Sequence, residues 1–212
     1  MAKAKSVFFC QNCGAESSKW MGRCPQCGEW NTLVEEIIKE TKHSRTPSRG
    51  VGNQTTKPTA LPDIEISSIA RVSTSFGEID RVLGGGIVPG ALMLLGGDPG
   101  IGKSTLLLQV SQKVADTVGA VLYASGEESQ LQLKLRAERL HINSERLQVI
   151  ADTDLDHILE QAEAMTPSLL VIDSIQTMYT GDIDAAPGSV SQVRECTSRL
   201  LRFCKERNRS EE

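Results

Sequence analysis

The fold is decided by the stretch Gly97-Asp98-Pro99-Gly100-Ile101-Gly102-Lys103-Ser104, which has the spacing G-x-x-x-x-G-K-S of a phosphate-binding loop. In such a loop, glycines allow successive backbone N–H groups to close around a phosphate group. Lys103 adds a positive charge near the phosphates, and the Ser104 hydroxyl is a ligand of the kind that Mg²⁺ prefers. We therefore predict a nucleotide site whose cradle is this loop.

The segments on both sides of the loop support this prediction. Residues 91–96 are almost wholly apolar and predict a buried parallel strand that enters the loop. Residues 105–110 predict a helix that leaves it, with the positive end of the helix dipole directed at the bound anion. A glycine-rich turn that matched the spacing by chance would not have both neighbours.

The composition is typical of a soluble globular protein. Of the 212 residues, 39% are apolar, 24% are charged and only 4% are aromatic, so Leu, Ile and Val must fill the core. The sequence has no run of about 18 apolar residues, which argues against a membrane-spanning helix. No apolar stretch follows the first residues, so we predict no secretory signal and a cytoplasmic protein.

Positive charge is concentrated in one segment. The net charge is −4, but residues 39–58 have five basic residues and one acidic residue. Residues 39–63 are also rich in Ser, Thr, Gly and Pro, which is the composition of a flexible linker. This linker could contact a phosphate backbone or be a solvated tether, and we favour the tether. The predicted domains are therefore 1–38, 39–63 and 64–212.

Four cysteines near the N-terminus form two C-x-x-C pairs, Cys10 with Cys13 and Cys24 with Cys27, separated by ten residues. Two such pairs predict a tetrahedral zinc site made of four thiolates. Two disulfide bonds are the alternative, but they require an oxidising compartment. All four ligands are protein side chains, so the predicted role of the zinc is structural and not catalytic.

The predicted zinc module also contains both tryptophans of the chain, Trp20 and Trp30. A core this small is not stable by itself, so we expect the two side chains to cover it. Gly14 and Gly28 directly follow the second cysteine of each pair and would supply the turns that the metal loops need. The module is therefore predicted to be a compact zinc ribbon.

Strand and helix patterns alternate after the phosphate-binding loop. Short apolar runs predict strands, and longer amphipathic runs predict helices. The predicted strands are 120–125, 147–150 and 169–173, and the predicted helices are 127–140, 155–165 and 189–207. This alternation predicts an α/β fold with a doubly wound parallel sheet.

Acidic residues follow two of the predicted strands. Asp173 ends an apolar strand, at the edge of the sheet where open α/β folds bind ligands, and is predicted to hold Mg²⁺. Glu127 and Glu128 follow strand 120–125, where a carboxylate could activate the attacking water. We predict Glu127 as the base and keep Glu128 as the alternative. Both acids could instead serve only to stabilise the start of the next helix.

Three features together point to a family. They are the segment 76–90 (FGEIDRVLGGGIVPG) that leads into the loop, the sequence Ser125-Gly126-Glu127-Glu128-Ser129, and the four cysteines. In this combination the chain resembles, over essentially its whole length, the RadA (Sms) family of bacterial DNA repair proteins. The resemblance implies a RecA-like P-loop ATPase core with a mainly parallel sheet, an N-terminal zinc finger and a further domain similar to the Lon protease domain.

The resemblance also implies a function. Members of the family are DNA-dependent ATPases that form hexameric rings and promote branch migration of strand-exchange intermediates. The implied partners are single-stranded and branched DNA and a recombinase filament, and the implied cofactors are ATP or ADP, Mg²⁺ and Zn²⁺. The implied location is the bacterial cytoplasm, in association with the nucleoid.

Site residues follow from the same resemblance. It implies that Lys103 and Glu127 are catalytic, Glu127 as the acid that activates water, and that Ser104 and Asp173 hold magnesium. The implied nucleotide contacts are Gly97, Asp98, Pro99, Gly100, Ile101, Gly102, Lys103, Ser104, Thr105 and Asp173.

The chain departs from the family pattern in one loop and at its end. Residues 181–188 fall where RecA-like proteins have a mobile DNA-binding loop, but this segment has no basic residue. The family's K-N-R-F-G motif and Lon-like domain do not occur before Glu212. We therefore expect a truncated product that binds nucleotide but hydrolyses it poorly.

Two other functions compete with this prediction. A signalling or clock-type ATPase with the same core would not act on DNA, and the zinc module and the basic linker argue against it. A non-enzymatic zinc adaptor with a degenerate loop would not need Lys103 and Ser104, which are both intact.

Overall fold

The computed structural model describes residues 5–38, 60–63 and 71–208. The chain divides into two compact units, one ending at Ala70 and one beginning at Arg71, apart from the short segment Asp182–Asp184, which groups with the first. Most of the predicted linker 39–63 lies outside the described residues, so its boundaries remain predictions.

The first unit is a small antiparallel sheet. Its strands are β1 (Lys5–Cys10), β2 (Glu16–Ser17) and β3 (Leu33–Ile38), in the order β2-β1-β3. The ladder between β1 and β3 runs over six residue pairs, and its last pair joins Cys10 to Leu33. The first cysteine of the unit therefore lies at the end of a fixed strand.

The second unit alternates helices and strands. The helices are α1 (Gly77–Val82), α2 (Lys103–Thr117), α3 (Gln130–Arg139), α4 (Leu155–Met165) and α5 (Val190–Asn208), and the strands are β4 (Val121–Ser125), β5 (Leu147–Ala151) and β6 (Leu169–Asp173). Strand β4 lies in the centre and pairs in parallel with β5 and β6, so that Ser125 is opposite Asp173. Among the described residues, no helix has both the length and the apolarity to cross a membrane.

Helices cover both faces of this parallel sheet. On one face, side chains of α2 and α3 pack with alternate strand residues, in a cluster that includes Leu108, Tyr123, Leu133 and Val171. On the other face, α4 and α5 pack against Ala124, in a cluster that includes Leu155, Ile158, Cys196 and Leu200. The predicted α/β fold with helices on both sides of a parallel sheet is therefore confirmed.

The predicted strand 91–96 is wrong. Residues 91–98 form no regular secondary structure, and the side chain of Leu94 is 88% exposed. A strand is held by hydrogen bonds to a neighbouring strand, and the ladders of the described residues join only β4, β5 and β6 in this unit. The apolar run is therefore present in the sequence, but nothing in the described ranges pairs with it.

The predicted helix 127–140 begins too early, because α3 starts at Gln130. Ser129 caps it: its Oγ accepts a hydrogen bond from the Gln132 N–H, and the Gln132 side chain accepts one from the Ser129 N–H at 2.9 Å. This capping box ends the preceding turn and fixes the helix start. Glu127 and Glu128 consequently lie in that turn, outside the helix. The other predicted helices and strands of residues 120–207 agree with the structure within one residue.

Asp80 of α1 anchors the chain that leads toward the phosphate-binding loop. The Ser73 hydroxyl donates to Asp80 at 2.6 Å, and the Thr74 N–H and hydroxyl donate at 2.9 and 2.7 Å. These hydrogen bonds lower the pKa of Asp80. In the turn after α1, a β-carbon on Gly86 would lie 2.5 Å from the Val72 carbonyl oxygen, so this position requires glycine.

Candidate nucleotide site and metal centre

The phosphate-binding loop has the backbone conformation that its glycines predict. Gly100 and Gly102 have φ angles of 78° and 102°, which a side chain would disfavour. Gly102 precedes α2, and no side chain caps the helix start. Backbone N–H groups in the first turn of a helix have no partner within the helix. This end of α2 therefore offers an anion both backbone donors and the positive end of the helix dipole.

The Lys103 ammonium group folds back onto the loop. Its Nζ donates to the Gly97 carbonyl oxygen at 2.7 Å and to the Asp98 carbonyl oxygen at 2.8 Å. Both acceptors are neutral, whereas a phosphate oxygen is charged and a stronger partner for an ammonium group. The lysine is therefore already in the loop, held by interactions that a phosphate can replace.

Asp173 ends β6 and is held by a buried phenol. The Tyr123 hydroxyl of β4 donates to Asp173 Oδ2 at 2.6 Å, and Tyr123 is fully buried. Burial, followed by the Asp173 hydrogen bond and charge, raises the pKa of Tyr123 well above its usual range. The phenol thus stays protonated and donates to Asp173, so one carboxylate oxygen is fixed by the protein.

A second pair lies directly after these strands. The Ser174 hydroxyl donates to Glu127 Oε1 at 2.8 Å, and the Gly126 N–H donates to the Asp173 carbonyl oxygen at 2.9 Å. The peptide bond between Asp173 and Ser174 is cis. Glu127 is exposed, so its carboxylate is accessible to water beside the end of β6.

Glu128 has a different environment. Arg136 of α3 donates to its Oε1 at 2.5 Å, and the Ser125 hydroxyl accepts from its backbone N–H at 3.0 Å. Its side chain is only 23% exposed. The Arg136 guanidinium occupies one oxygen of this carboxylate, so Glu128 ties the turn to α3.

The predicted site residues therefore form two groups. Asp173, Glu127 and their partners Tyr123 and Ser174 lie together at the carboxyl ends of β4 and β6. Residues 97–104 form the other group, and among the described residues no hydrogen bond or ion pair joins them to Asp173. Helix α2, which follows the loop, packs against both β4 and β6.

Gln192 of α5 holds the segment 181–188 at Ala185 and the residue before the segment at Thr180. The Gln192 side chain is buried, donates to the Ala185 carbonyl oxygen at 2.9 Å and accepts from the Thr180 N–H at 3.1 Å. The tip of the segment is acidic, with Asp182 and Asp184. The segment therefore has no basic side chain that could pair with a phosphate backbone.

The four N-terminal cysteines form a metal-sized cluster. Their Sγ atoms all lie within 4.8 Å of one another, and both Cys10–Cys27 and Cys13–Cys24 are 3.6 Å apart. A tetrahedral zinc with Zn–S bonds of about 2.3 Å places its sulfurs about 3.8 Å apart. The cluster therefore fits a Zn²⁺ ion closely, and each cysteine supplies one ligand.

The two metal loops repeat one backbone pattern. The Gly14 N–H donates to the Cys10 carbonyl oxygen at 2.8 Å, and the Gly28 N–H donates to the Cys24 carbonyl oxygen at 3.0 Å. Both glycines have positive φ angles, 72° and 76°. The predicted role of these glycines is borne out, because each turn needs a left-handed residue to bring its two sulfurs together.

Interactions around the sulfurs shift their pKa values in opposite directions. The Thr32 hydroxyl, 3.2 Å away, lowers the pKa of Cys10 to about 6, and the backbone N–H of Cys27 lowers that of Cys24. A backbone hydrogen bond at Ala15 favours the Cys13 thiolate, but burial and the neighbouring sulfurs raise its pKa to about 12. Four thiolates this close need a cation, which Zn²⁺ supplies.

The expectation that Trp20 and Trp30 cover the core of the zinc module is wrong. The two side chains are 58% and 67% exposed. The buried positions are taken instead by Cys10, Cys24 and Leu33, together with Ala15 and the partly buried Phe8. The metal ligands themselves make up much of this core, and the indole rings lie outside it.

Comparison with known protein families identifies the family to which most of the chain belongs. Residues 55–209 match the family described as AAA domain. The chain belongs to this family. Residues 8–35, which contain the four cysteines of the metal cluster, match the family described as rubredoxin metal binding domain. The predicted combination of a nucleotide-binding α/β domain and an N-terminal zinc ribbon is therefore confirmed.

Relatives of this AAA-domain chain match nearly all of its length. Proteins named DNA repair protein RadA are 56% identical in Bacillus subtilis, over 97% of this chain, and 52% identical in Listeria monocytogenes, over 98%. The chain spans only 45% and 46% of those relatives. The resemblance to the RadA family is therefore confirmed. A solved structure, the flagellar accessory protein FlaH from Methanocaldococcus jannaschii, is 22% identical with a TM-score of 0.47, covering 64% of this chain and 66% of its own.

Sequence reasoning missed Tyr123 and Ser174, which hold Asp173 and Glu127. A signal for Tyr123 was present, because alternate residues of a strand face the same side of a sheet. Tyr123 and Asp173 lie on the same face of neighbouring strands, two residues apart in register. No comparable signal exists for Ser174, because a turn has no such period.

Proposed function

We propose that this chain is the nucleotide-binding and zinc-ribbon part of a DNA-dependent ATPase that acts in recombination and repair. The observation that carries the proposal is the phosphate-binding loop, with Lys103 folded onto its carbonyl groups and an uncapped helix behind it. The AAA-domain match supports ATP as the ligand. The relatives named DNA repair protein RadA support DNA as the molecule on which the ATPase acts.

Each residue of the loop has a proposed task. The Lys103 ammonium group exchanges the Gly97 and Asp98 carbonyl oxygens for phosphate oxygens of the nucleotide. The first-turn N–H groups of α2 donate to the same phosphates. Together they position the nucleotide, which is the larger part of catalysis in phosphoryl transfer.

We propose that the Ser104 hydroxyl and the Asp173 carboxylate hold Mg²⁺. Both are oxygen donors of the kind this ion prefers, and the Tyr123 hydrogen bond fixes one Asp173 oxygen while leaving the other for the ion or its water. When bound, Mg²⁺ offsets the negative charge of the phosphates.

Glu127 is proposed as the residue that orients and deprotonates the attacking water. Its carboxylate is exposed and fixed by the Ser174 hydroxyl, so it accepts a proton at the edge of the sheet. Glu128 is engaged with Arg136 and is assigned a supporting role. The structure thus favours the first of the two acids that the sequence left open.

Two further parts of the proposal, that the protein acts on DNA and that it forms a ring, rest on the relatives. We propose that the ligand is single-stranded or branched DNA and that the whole protein promotes branch migration. In this proposal it is a hexameric ring that meets a recombinase filament in the bacterial cytoplasm, in association with the nucleoid. The domain boundaries at residues 38 and 63 belong to the same proposal.

Nucleotide binding is the first test. A fluorescent ATP analogue is titrated into the zinc-loaded chain, the Lys103→Ala variant and, as a matched control, Lys113→Ala, which changes an exposed lysine of the same helix. We expect Lys103→Ala to weaken binding at least tenfold and Lys113→Ala to leave it unchanged. Equal binding by all three proteins would overturn the proposed nucleotide site.

Turnover is the second test, measured with and without single-stranded DNA. Glu127→Gln is expected to keep ATP binding and lose hydrolysis by at least a hundredfold. Glu128→Gln is expected to keep most of the hydrolysis that the unchanged chain shows. Hydrolysis that DNA does not stimulate would instead indicate a RecA-like signalling ATPase that does not act on DNA.

A further inference from the structure

The zinc module exposes the two largest apolar side chains of the protein. Trp20 and Trp30 are the only tryptophans of the chain, and their side chains are 58% and 67% exposed, with Met21 between them at 38%. Large aromatic side chains normally bury much of their surface, because each offers 150–250 Å² of it. A cluster of exposed aromatic surface on a small module marks an interaction site.

The backbone holds the two indole rings close together. A β-carbon added to Gly22 would lie 3.7 Å from Trp20 Cη2 and 3.7 Å from Trp30 Cζ3. Trp30 is bridged in antiparallel fashion to Arg23, and the Asn31 N–H donates to the Gly22 carbonyl oxygen at 2.8 Å. The rings therefore border a bare glycine, where a flat ligand can approach both.

Cations border the same surface. The Arg23 guanidinium lies 5.9 Å from the centre of the Trp30 ring, and its Nε donates to the Gly28 carbonyl oxygen at 2.7 Å. Lys19 immediately precedes Trp20 and is exposed. Aromatic faces beside cations are the pattern of surfaces that bind single-stranded nucleic acid.

We propose that Trp20 and Trp30, with Arg23, form a stacking platform for the unpaired bases of single-stranded DNA. The choice of DNA as the polymer rests on the proposed function, whereas the platform itself lies outside the nucleotide site. Residues 5–38 have three basic and four acidic residues, so stacking and not net charge supplies most of the binding. Every base has a flat face, and binding is therefore tolerant of sequence.

The two tryptophans are also the reporters of their own test. Fluorescein-labelled oligothymidylate is titrated into the full zinc-loaded chain without nucleotide, and both the anisotropy of the label and the tryptophan emission are recorded. We expect the tryptophan emission to be quenched as the anisotropy rises. The single-tryptophan variants Trp20→Phe and Trp30→Phe show which ring stacks, and they retain much of the affinity because phenylalanine also stacks.

Removing each indole ring by substitution with alanine provides the stronger comparison. Trp20→Ala and Trp30→Ala are each expected to weaken binding roughly tenfold, whereas Val34→Ala, which truncates another exposed apolar residue of the module, has no effect. Bound zinc, measured in each variant, shows that the module is intact. Duplex DNA, whose bases are already stacked, is expected to bind more weakly than the single strand.

Three results would overturn the platform. They are an unquenched emission on binding, alanine variants with unchanged affinity, and equal affinity for duplex DNA, which would indicate phosphate contacts alone. The proposed ATPase function is tested separately, because the effect of Lys103→Ala on ATP binding does not involve either tryptophan. A chain that binds ATP but does not quench therefore refutes only the platform, and would favour a protein partner for this surface.

Discussion

The metal loops and the phosphate-binding loop are both ion sites built on glycine turns, but they hold their ions in different ways. In the metal loops, four side chains converge until their sulfurs lie within 4.8 Å of one another. In the phosphate-binding loop, the backbone supplies the cradle, and the Lys103 ammonium group is satisfied by the carbonyl oxygens of the loop itself. The first site depends on a cation to hold its thiolates together, whereas the lysine of the second has hydrogen-bond partners within the loop.

This difference follows from the cores behind the two sites. The buried apolar positions of the zinc module include two of the metal ligands, Cys10 and Cys24. The core behind α2 contains large aliphatic and aromatic side chains such as Leu108 and Tyr123, on a sheet covered on both faces. Removing the ion should therefore unfold one unit and leave the other folded.

Zinc removal is the largest effect that we expect. Structural zinc contributes about 10–16 kcal/mol of apparent binding free energy in small modules. A chelator, or Cys24→Ser, should therefore unfold β1–β3, while ATP-analogue binding by the second unit changes little. Unfolding is followed by the reactivity of Cys10, which is buried in the folded module, toward a thiol reagent.

Cys204→Ser is the matched control, because this half-buried cysteine of α5 lies outside the metal cluster. It should leave the zinc content at one ion per chain. If the buried thiols of Cys10 and Cys24 stayed protected in a zinc-free chain, the module would be stable without its ion and the comparison would fail.

Gly126→Ala tests how closely the second unit is packed at the end of β4. A β-carbon there would lie 2.0 Å from Thr177 Oγ1, and this hydroxyl is fixed because it donates to the Ser174 carbonyl oxygen at 2.8 Å. We expect the free energy of unfolding to fall by about 1–3 kcal/mol, as for other overpacked sites. Urea denaturation followed by circular dichroism measures it.

Gly181→Ala is the control for this substitution. Nothing lies within 4 Å of a β-carbon at Gly181, so its effect should stay within about 0.5 kcal/mol. Equal destabilisation by both substitutions would show that glycine flexibility, and not crowding at Thr177, explains the result.

The sequence predicted the metal cluster and the glycine turns of the phosphate-binding loop, because each depends on local spacing. The positions of the four cysteines and of Gly14 and Gly28 determine two turns, and each turn is closed by hydrogen bonds within five residues. Spacing could not predict the exposure of Trp20 and Trp30, which depends on what already fills the core. Nor could it show that residues 91–96 lack a partner strand, since pairing depends on residues far away in sequence.

The same distinction explains the choice between Glu127 and Glu128. They are adjacent in sequence, and no periodic pattern distinguishes them. Their environments differ because Arg136, one turn or more along α3, reaches Glu128, whereas Ser174 from the far end of another strand reaches Glu127. Contacts across 47 residues of sequence are outside what a local pattern can predict.

Tyr123→Phe sharpens the comparison at Asp173, the proposed magnesium ligand. The substitution keeps the buried ring and removes only the hydroxyl that donates to Asp173. Loss of such a supporting hydrogen bond weakens metal affinity, here by roughly tenfold. The Mg²⁺ concentration needed for half-maximal binding of the ATP analogue should therefore rise, while binding in the presence of a chelator stays unchanged. A parallel loss with and without Mg²⁺ would indicate a general packing defect instead.

The smallest expected effect on stability concerns Asp152 and His157, two side chains that pair directly with each other and not through a bound metal or phosphate. Asp152 Oδ2 lies 2.5 Å from His157 Nδ1, and this hydrogen bond, with the charges of Asp152, Glu160 and Asp154, raises the pKa of His157. Burial opposes ionisation of Asp152, but the Asp154 N–H and His157 outweigh it, so its pKa is lowered. Asp152 is therefore charged throughout the neutral range.

The sign of the pH dependence follows from the raised pKa. A histidine with a higher pKa in the folded state stabilises that state fully below about pH 6.5, and this contribution is lost as the pH rises through the folded-state pKa. His157→Gln should therefore lower the free energy of unfolding at pH 6 and change it little at pH 9, as urea denaturation would show. In an Asp152→Asn background, which keeps the oxygen that accepts the Thr153 N–H at 2.7 Å, the same substitution should lose most of its pH dependence, because Asp152 is the main cause of the raised pKa. A difference between pH 6 and pH 9 that survives in this background would assign the effect to another group.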